Sequence, residues 1–302
     1  MFGEHQAICY SGYRDGQSPD AGVFPSPEEV AEDLRILAEG WRKIRLYDSG
    51  PHARLVLEAI RREGLGFEVL LGSYLFAEED NPNCPWGGMH GPEKLADNRA
   101  ENDAEVDRCV ALAREFPDIV TSVAAGNEST VDWSGHLVPV PRVIEVARTL
   151  AEGTGLPVTF CENHVPWMDK LEPLVPELDF ISIHSYPVWE HRSVEEAIAV
   201  TDADYRRVAE RYPGVPVAIT EAGWTTRSNG RGIEPHHASV EHQVHYYEAL
   251  SRWAEDNGVL TYVFEAFDEP WKGSPDPNEP EKHWGLFTVD RRPKPVMQPY
   301  FP

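Results

Sequence analysis

Residues 215–224 read VPVAITEAGW, a short and mostly apolar run that leads into Glu221, a glycine and a tryptophan. An earlier stretch, residues 119–128, has the same form: it reads IVTSVAAGNE and ends in Glu128. Nearly continuous apolar runs of this length are typical of parallel strands that are buried on both faces. The two stretches therefore predict parallel strands whose far ends carry glutamates.

Eight such runs recur along the 302 residues, and most are followed by a segment with helical periodicity. The predicted strands are Gln6–Ser11, Lys43–Asp48, Phe67–Tyr74, Ile119–Glu128, Pro157–Asn163, Leu178–Pro187, Val215–Trp224 and Val259–Asp268. Eight alternations of strand and helix in this length predict an α/β protein with a (β/α)₈ TIM-barrel fold. Because the sequence shows no linker and no internal repeat, we expect a single domain over residues 1–302.

Helix signals lie between the strand candidates. The segment Ser26–Glu39 opens with S-P-E-E, so Ser26 is placed to cap the helix and Pro27 suits its first turn. The segment Pro51–Glu63 is followed by Gly64, a residue suited to the C-terminal cap. The remaining helix candidates are Glu101–Glu115, Val140–Glu152, Val194–Arg211 and Val240–Asp256.

An open, doubly wound sheet would also accommodate alternating strands and helices. That fold commonly places a glycine-rich phosphate loop after its first strand. Residues 12–19 here read GYRDGQSP, which is a turn and not a G-x-G-x-x-G motif. The sequence therefore favours the closed barrel.

The charge balance narrows the choice of partner. The chain has 27 Lys and Arg against 51 Asp and Glu, a formal net charge of −24. Nucleic acids and anionic membrane surfaces would be repelled, whereas a neutral polysaccharide would not. No run of 18 apolar residues is present, so we expect no membrane span.

The cysteines and histidines give no metal or cofactor signal. The cysteines, none of them in a C-x-x-C pair, are Cys9, Cys84, Cys109 and Cys161. We expect buried free thiols in preference to a disulfide. His184 and the pair His236–His237 lack partners at metal-ligand spacing, so no metal and no cofactor is predicted.

The first residues, Met-Phe-Gly-Glu-His, show no charged and apolar leader. The expectation is either a cytoplasmic protein or an exported one whose signal is not in this sequence, and the residues do not choose between the two.

The two strand-end glutamates suggest a chemistry. Glycoside hydrolysis usually needs a pair of carboxyl groups that flank one bond. Glu128 and Glu221 would both emerge at the C-terminal face of the barrel, where active sites lie in this fold. Most glutamates are ordinary surface residues. A carboxylate at the end of a buried strand is costly without a partner or a task, however, which favours catalysis here.

Several segments taken together resemble glycoside hydrolase family 17. They run from the first strand to the last: residues 10–19, 44–48, 126–128, 219–224, 267–272 and 281–287. The most telling are GNE at 126–128, ITEAGW at 219–224 and FDEPWK at 267–272. The resemblance implies a barrel with the acid/base on the fourth strand and the nucleophile on the seventh.

Residue by residue, the resemblance implies that Glu128 is the general acid/base and Glu221 the nucleophile. Asn127 would hydrogen-bond the 2-hydroxyl of the sugar. Three residues after the last strand match auxiliary positions of the family: Glu269, Lys272 and Glu281.

Further candidates for the cleft lie at the ends of strands two, five and six. Tyr186 would orient the nucleophile, as a tyrosine there does in the wider clan, or would only contact sugar at the rim. Arg45 and Tyr47 would line the cleft floor, although Arg45 is equally suited to pair with a buried acid. Glu162 and its neighbour Asn163 would contact substrate.

Tryptophan placement supports a carbohydrate groove, because indole rings pack well on the flat faces of pyranose rings. Seven of the nine lie at strand ends or just after them: Trp86, Trp133, Trp167, Trp189, Trp224, Trp271 and Trp284. We expect about half of them to be core, and among the others we assign Trp224 and Trp271 to substrate binding. No basic stripe accompanies them, which disfavours single-stranded nucleic acid.

The predicted function is retaining, endo-acting cleavage of β-1,3-glucan, with a β-glucan polysaccharide or oligosaccharide as partner and no protein partner evident. A β-1,3-glucanosyltransferase stays open because it uses the same covalent intermediate. The residues after Glu128, STVDW, differ from the plant members of the family, so plant-type specificity is not expected.

Two less favoured functions would also use a barrel. A non-catalytic glucan-binding barrel is disfavoured because both glutamates are present. A phosphate-handling isomerase is disfavoured because no glycine-rich phosphate loop follows strands seven or eight.

Overall fold

Eight parallel strands close into a barrel in the computed structural model, which describes residues 2–301. Each strand pairs with the next along the chain, and the eighth pairs with the first through the register Ala7–Tyr262. The strands are β1 Gln6–Cys9, β2 Lys43–Leu46, β3 Glu68–Gly72, β4 Val120–Asn127, β5 Val158–Asn163, β6 Ile181–Ser185, β7 Val217–Ala222 and β8 Thr261–Val263. The predicted (β/α)₈ barrel is confirmed, and the open sheet is excluded.

The observed strands are shorter than the predicted runs, mostly at their C-terminal ends. The run predicted over Val259–Asp268 pairs only from Thr261 to Val263. Beyond the last ladder bond the strands of a barrel diverge, so the end of an apolar run continues the direction of the strand without a paired neighbour. Those overhanging residues carry the polar groups described below.

The helices match the capping signals where such signals exist. They are α1 Pro27–Gly40, α2 Pro51–Glu63, α3 Pro92–Glu115, α4 Val140–Thr154, α5 His164–Trp167, α6 Val194–Arg211 and α7 Val240–Asn257. Ser26 and Glu29 form a capping box at the start of α1, and Gly64 ends α2 in the left-handed conformation with a φ of 66°. None of the helices in residues 2–301 has both the length and the apolar character needed to cross a bilayer.

Helix α3 begins nine residues before its predicted start at Glu101. Its first half docks through buried amides: Asn98 donates to the carbonyl of Ala77, and Asn102 donates to that of Phe76, at 2.8 and 2.9 Å. A face that packs through hydrogen bonds has no apolar stripe, so the helical period was invisible there.

Two connections depart from the regular alternation. After β5 the chain forms the one-turn helix α5 and then a 3₁₀ helix at Glu172–Glu177. After β8, the described part of the chain forms no α-helix, and residues 264–301 instead run irregularly past a short 3₁₀ turn at Pro280–Lys282. The predicted domain bounds include Met1 and Pro302, which lie outside the described residues, so a single domain over 1–302 stays a prediction.

All four cysteines are buried and free, which confirms the prediction from their spacing. Burial raises the pKa of the Cys109 thiol to about 12, so it is protonated at neutral pH and behaves as a small apolar side chain.

A buried ion pair ties the last segment to the first helix. Asp33 on α1 is fully buried, and Arg291 donates to both of its oxygens at 2.7 Å. Tyr10 and Arg14 donate to the same carboxylate at 3.1 and 3.0 Å. The guanidinium of Arg291 also reaches the carbonyl of Gly12. This network fixes the segment that stands in place of an eighth helix.

Replacing Asp33 with asparagine should lower the free energy of unfolding by about 3 kcal/mol, because it leaves the buried Arg291 without its counter-ion. Urea denaturation followed by tryptophan fluorescence measures the change. The matched control is the neighbouring Glu32→Gln, whose side chain is 54% exposed and should cost less than about 1 kcal/mol. Equal losses in the two variants would contradict the role given to Asp33.

Candidate active site

The two predicted catalytic glutamates meet at one end of the barrel. Glu128 directly follows the last residue of β4, and Glu221 is the fifth residue of β7. One carboxylate oxygen of each lies within 4.8 Å of the other and of His184 Nδ1. Carboxyl groups about 5–5.5 Å apart are typical of retaining glycosidases, whereas inverting enzymes need roughly 6.5–9.5 Å. The separation fits double displacement.

A left-handed turn presents Glu128 to the cleft. Glu128 has a φ of +43° and Gly126 a φ of +122°, values that are uncommon for residues with a side chain. A Cβ at Gly126 would also lie 3.1 Å from the ring of Phe160. The backbone N–H of Glu128 donates to the carbonyl of Cys161, which anchors the turn to β5. Strain of this kind is common where a functional group must be aimed.

Glu221 is held ionised by the groups around it. Arg45 Nη1 donates to its Oε1 at 2.7 Å, and the Tyr186 hydroxyl donates to its Oε2 at 2.5 Å. Burial alone would raise the pKa of Glu221, but His184, Arg45 and Tyr186 outweigh it and lower the pKa below its ordinary value. A carboxylate that stays charged in a buried site is suited to act as a nucleophile.

Arg45 is the common partner of both glutamate-bearing strands. It is 1% exposed and donates to Glu221, to the carbonyl of Thr220 at 3.0 Å and to the side-chain oxygen of Asn127. Its guanidinium also lies 4.5 Å from the ring centre of Tyr47. Of the two roles considered for Arg45, the geometry supports pairing with a buried acid. Tyr47 packs against this guanidinium, and its place in the cleft floor stays a prediction.

His184 joins the two glutamates, a role that the sequence reasoning missed. Its Nδ1 lies 2.8 Å from Glu128 Oε1 and 3.6 Å from Glu221 Oε2. Burial opposes protonation of this histidine, but Glu221, Cys161 and Glu128 together raise its pKa to about 10. Residues two apart on a strand share a face, so the position of His184 two before Tyr186 was the available signal.

A second charged cluster lies in the segment after β8. Lys272 Nζ lies 2.9 Å from Glu265 Oε2 and 2.5 Å from Glu269 Oε2. Trp271 donates its indole N–H to Glu269 at 2.9 Å, and Ser11 donates its hydroxyl to the same oxygen. Glu265, which the sequence pattern did not single out, belongs here and is 1% exposed.

The two carboxyl groups of this cluster differ in their protonation state. Burial and the charge of Glu269 raise the pKa of Glu265 well above its usual range. Burial also acts on Glu269, but Lys272 and the hydrogen bond from Glu265 lower its pKa. Lys272 therefore contacts one carboxylate, Glu269, and one neutral carboxylic acid, Glu265.

Glu281 lies in the 3₁₀ turn Pro280–Lys282. Burial raises its pKa to about 7, Lys272 works against that rise, and the charges of Glu128 and Glu221 add to it. Glu281 is therefore within electrostatic reach of both glutamates, which suits the auxiliary position implied by the resemblance.

Two predicted substrate contacts need correction. Glu162 is fully buried, and its Oε2 accepts from the N–H and the hydroxyl of Thr130 at 2.8 and 2.7 Å. It therefore supports the loop after Glu128 and does not face a sugar. Trp224 is 2% exposed and donates its indole N–H to the carbonyl of His237 at 2.8 Å. It packs between the barrel and α7, which leaves no face for a ligand. Asn163 caps α5 by accepting from Val165.

The other tryptophans divide as expected between core and surface. Trp167 and Trp284 are fully buried, whereas Trp86 and Trp133 are 61% and 40% exposed. Trp271 is partly exposed, and its ring meets Tyr13 edge-on at 5.9 Å between ring centres. The face of Trp271 beside Glu269 therefore stays a candidate for sugar contact.

The atoms of Glu128, His184 and Glu221 are also close enough to ligate a metal ion. Three of these oxygens already have a partner: Glu128 Oε1 is within hydrogen-bond distance of His184, and both oxygens of Glu221 accept from Arg45 and Tyr186. Because Glu221 already accepts hydrogen bonds from Arg45 and Tyr186, its environment suits a nucleophilic carboxylate better than a metal ligand.

Comparison with known proteins agrees with this geometry. The family model of the BtgE/BtgC glycoside hydrolase domain matches residues 7–285, which include every segment of the site. The chain belongs to this glycoside hydrolase family. The resemblance to glycoside hydrolase family 17 is thereby confirmed, and the chain is a glycoside hydrolase.

Three relatives illustrate the match. A glucan 1,3-beta-glucosidase from Arthroderma benhamiae is 26% identical over 93% of this chain and 85% of its own length. The crystal structure of an endo-laminarinase from Formosa Hel1_33_131 is 27% identical, with a TM-score of 0.82 over 97% of this chain and 86% of that one. A family 17 beta-1,3-glucanosyltransferase from Rhizomucor miehei shares the fold, with a TM-score of 0.71, 21% identity and coverage of 96% and 95%.

Replacing Tyr186 with phenylalanine should move the acidic limb of kcat/KM to higher pH by roughly one unit, the worth of one hydrogen bond to a charged group. The hydroxyl stabilises ionised Glu221, so its loss raises the pKa of a group that must be deprotonated. The measurement is the pH dependence of hydrolysis of an activated glycoside. Tyr74→Phe is the control, because that hydroxyl contacts His136 and not the nucleophile. An unmoved limb in Tyr186→Phe would argue against this role.

Proposed function

We propose that this protein cleaves β-1,3-glucan within the chain and with retention of configuration, with Glu128 as general acid/base and Glu221 as nucleophile. The observation that carries the proposal is the pair of carboxyl oxygens within 4.8 Å, one on a side chain that is 30% exposed and the other on one that is 7% exposed. The substrate class is taken from the names of the relatives, a glucan 1,3-beta-glucosidase and an endo-laminarinase.

In the first half-reaction, a carboxylate oxygen of Glu221 attacks the anomeric carbon while the bond from that carbon to the leaving oxygen breaks. Glu128 gives its proton to the leaving oxygen, so the departing chain ends in a hydroxyl and Glu128 is left ionised. The product is a glycosyl ester on Glu221.

His184 selects the oxygen of Glu128 that carries the proton. Its Nδ1 lies 2.8 Å from Oε1, so Oε1 accepts a hydrogen bond from the imidazole. The acid proton of Glu128 is then carried by Oε2, the oxygen free to approach the sugar. When Glu128 is ionised after the first half-reaction, the protonated imidazole stabilises its new charge.

In the second half-reaction, Glu128 takes a proton from a water molecule, whose oxygen attacks the anomeric carbon. The ester bond to Glu221 breaks, and Glu221 returns as a carboxylate. Two inversions give net retention.

Asn127 is oriented for the sugar 2-hydroxyl. Arg45 donates to its side-chain oxygen, which leaves the amide N–H₂ as the group that points away from the protein cation. Hydrogen bonds to the 2-hydroxyl strengthen toward the transition state of glycoside hydrolysis, so a contact from Asn127 would stabilise the transition state more than the ground state.

The variants Glu128→Gln and Glu221→Gln should each lower the turnover of linear β-1,3-glucan by at least about a thousandfold, because each removes one half of an acid and nucleophile pair. Reducing-end release from laminarin measures the rate, and proton NMR of early wild-type products reports their configuration. The exposed Glu93→Gln serves as control and should match the wild type.

The outcomes separate the parts of the proposal. Products of inverted configuration would contradict double displacement, and full activity in either glutamine variant would contradict the residue assignment. Turnover of β-1,4-glucan but not of laminarin would overturn the substrate and leave the mechanism standing. Early release of oligosaccharides of mixed length supports endo action, whereas glucose alone would contradict it.

Transfer to a second glucan is the competing function, and one surface favours it. Phe76 and Trp86, in the loop after β3, and Trp133, in the loop after β4, are all at least 40% exposed. Asn81 joins the two loops by donating to the carbonyls of Asp132 and Ser134, both at 2.8 Å. We call these three exposed rings the aromatic wall.

The aromatic wall lies on the acid/base side of the cleft. The ring of Phe76 meets Tyr74 at 5.6 Å, Tyr74 meets His136 at 4.9 Å, and His136 binds the carbonyl of Asn127 at 2.8 Å. Glu128 protonates the departing chain, so this side holds the leaving group and then any acceptor. Exposed rings there suit a bound sugar chain that competes with water.

Removing one ring should lower transfer more than hydrolysis. Trp86→Ala is expected to reduce the ratio of elongated to hydrolysed products from laminarioligosaccharides by roughly fivefold, equivalent to about 1 kcal/mol of lost ring contact. Chromatography of the products gives the ratio. The control is Tyr300→Ala, which removes an aromatic side chain of similar exposure, 52% against 61% for Trp86, that contacts Phe2 away from the active site. An unchanged ratio in Trp86→Ala would show that the aromatic wall does not bind the acceptor.

A further inference from the structure

A second group of ligand-type side chains lies beside the active site but outside it. It consists of His164 at the start of α5, Glu190 in the turn after β6 and Asp204 on α6. One nitrogen or oxygen atom from each lies within 4.8 Å of the other two. The three positions are 26 and 14 residues apart in sequence, so no short sequence motif contains them. We call them the His164 cluster.

The hydrogen bonds around the cluster leave three acceptors facing one another. His164 Nδ1 lies 3.3 Å from the backbone carbonyl of His184, which only accepts, so Nδ1 carries the proton. Asp204 Oδ2 accepts from Ser185 Oγ at 2.7 Å. The free atoms are therefore His164 Nε2, Asp204 Oδ1 and Glu190 Oε1. Fixing a ring nitrogen and a carboxylate oxygen from behind is how proteins orient metal ligands.

The distances between these atoms suit an ion better than a direct hydrogen bond. His164 Nε2 lies 3.4 Å from Asp204 Oδ1 and 3.9 Å from Glu190 Oε1. A proton shared between an imidazolium and a carboxylate draws the atoms to about 2.7–2.9 Å. Two ligands that are each about 2.0–2.2 Å from a metal lie roughly 3.3–3.9 Å apart at tetrahedral or wider angles.

Two arginines lie near the cluster, but neither pairs with it. Arg207 and Arg192 act on the charges of the two carboxylates, yet neither is among the ion pairs formed by the described residues within 4 Å. The side chain of Glu190 is 38% exposed, which opens the cluster to solvent and leaves room for a water ligand.

We propose that the His164 cluster binds one divalent first-row transition-metal ion of the Zn²⁺ type, with His164 Nε2, Asp204 Oδ1 and Glu190 Oε1 as protein ligands. One imidazole with two carboxylates suits such ions better than the harder Ca²⁺ or Mg²⁺. The ion would connect the end of β5, the turn after β6 and α6. That turn begins at Tyr186, so the metal fixes the segment that carries the hydroxyl partner of Glu221.

The test is isothermal titration of the tag-free, chelator-treated protein with Zn²⁺, with Ca²⁺ in a parallel titration. We expect one Zn²⁺ site per chain and a higher melting temperature when it is filled. Glu190→Gln should weaken the affinity at least tenfold, and His164→Asn should remove the site. Because the side chain of Glu190 is partly exposed and its Oε1 lies as far as 3.9 Å from His164 Nε2, its amide variant should fold.

Two controls make the result specific. Glu210→Gln changes an exposed carboxylate on the same helix and should leave the titration unchanged. His236→Gln tests whether the neighbouring pair His236–His237 binds the ion instead. Binding that persists in Glu190→Gln and His164→Asn, or no heat of binding in the wild type, would overturn the proposal. Tighter binding of Ca²⁺ than of Zn²⁺ would overturn the choice of ion.

Discussion

The guanidinium of Arg45 is the interaction on which the active site depends. It extends from β2 and contacts Asn127 on β4 and Glu221 on β7, so it reaches both strands that position the catalytic carboxyl groups. A buried arginine is costly unless its donors are used, and here the two terminal nitrogens donate to Glu221, Asn127 and a backbone carbonyl. Closure of the barrel makes this possible, because only a ring of strands brings β2, β4 and β7 to a common centre.

Many acidic side chains lie close together around Arg45. Glu128, Glu221, Glu265, Glu269 and Glu281 lie within reach of Arg45, His184 and Lys272. Like charges so close cannot all be ionised. The pKa directions divide them: Glu221 and Glu269 are held as carboxylates, whereas Glu265 and Glu281 are pushed toward the neutral acid. The chain has far fewer basic than acidic residues, and in the active site this excess of acid is balanced by ion pairs for some glutamates and by protonation of others.

The sequence predicted the barrel and the two glutamates because both follow from local signals. An apolar run, a cap or a glutamate at a strand end is readable within ten residues, and closure then brings Glu128 and Glu221 together. Trp224 and Glu162 were misjudged because the strand end says where a residue lies but not which way its side chain turns. Trp224 turns toward α7, and Glu162 turns toward Thr130. His184, Glu265 and the start of α3 were missed for a related reason: their role comes from partners distant in sequence. His184 owes its function to residues 56 positions before and 37 after it in the chain. Apart from the position of His184 two residues before Tyr186, no period or motif in the sequence marks such contacts.

The bridge made by Asn81 has a consequence for how this cleft can change over time. The loop after β3 and the loop after β4 share two hydrogen bonds through one amide, so they form one rigid side of the groove. A change in the length of either loop alone would leave the buried Asn81 amide, or the carbonyls of Asp132 and Ser134, without a hydrogen-bond partner. Evolution of the leaving-group side of the cleft would therefore proceed by substitution of the exposed aromatic residues while the two loops keep their lengths. A change in the length of one loop would require a matching insertion or deletion in the other.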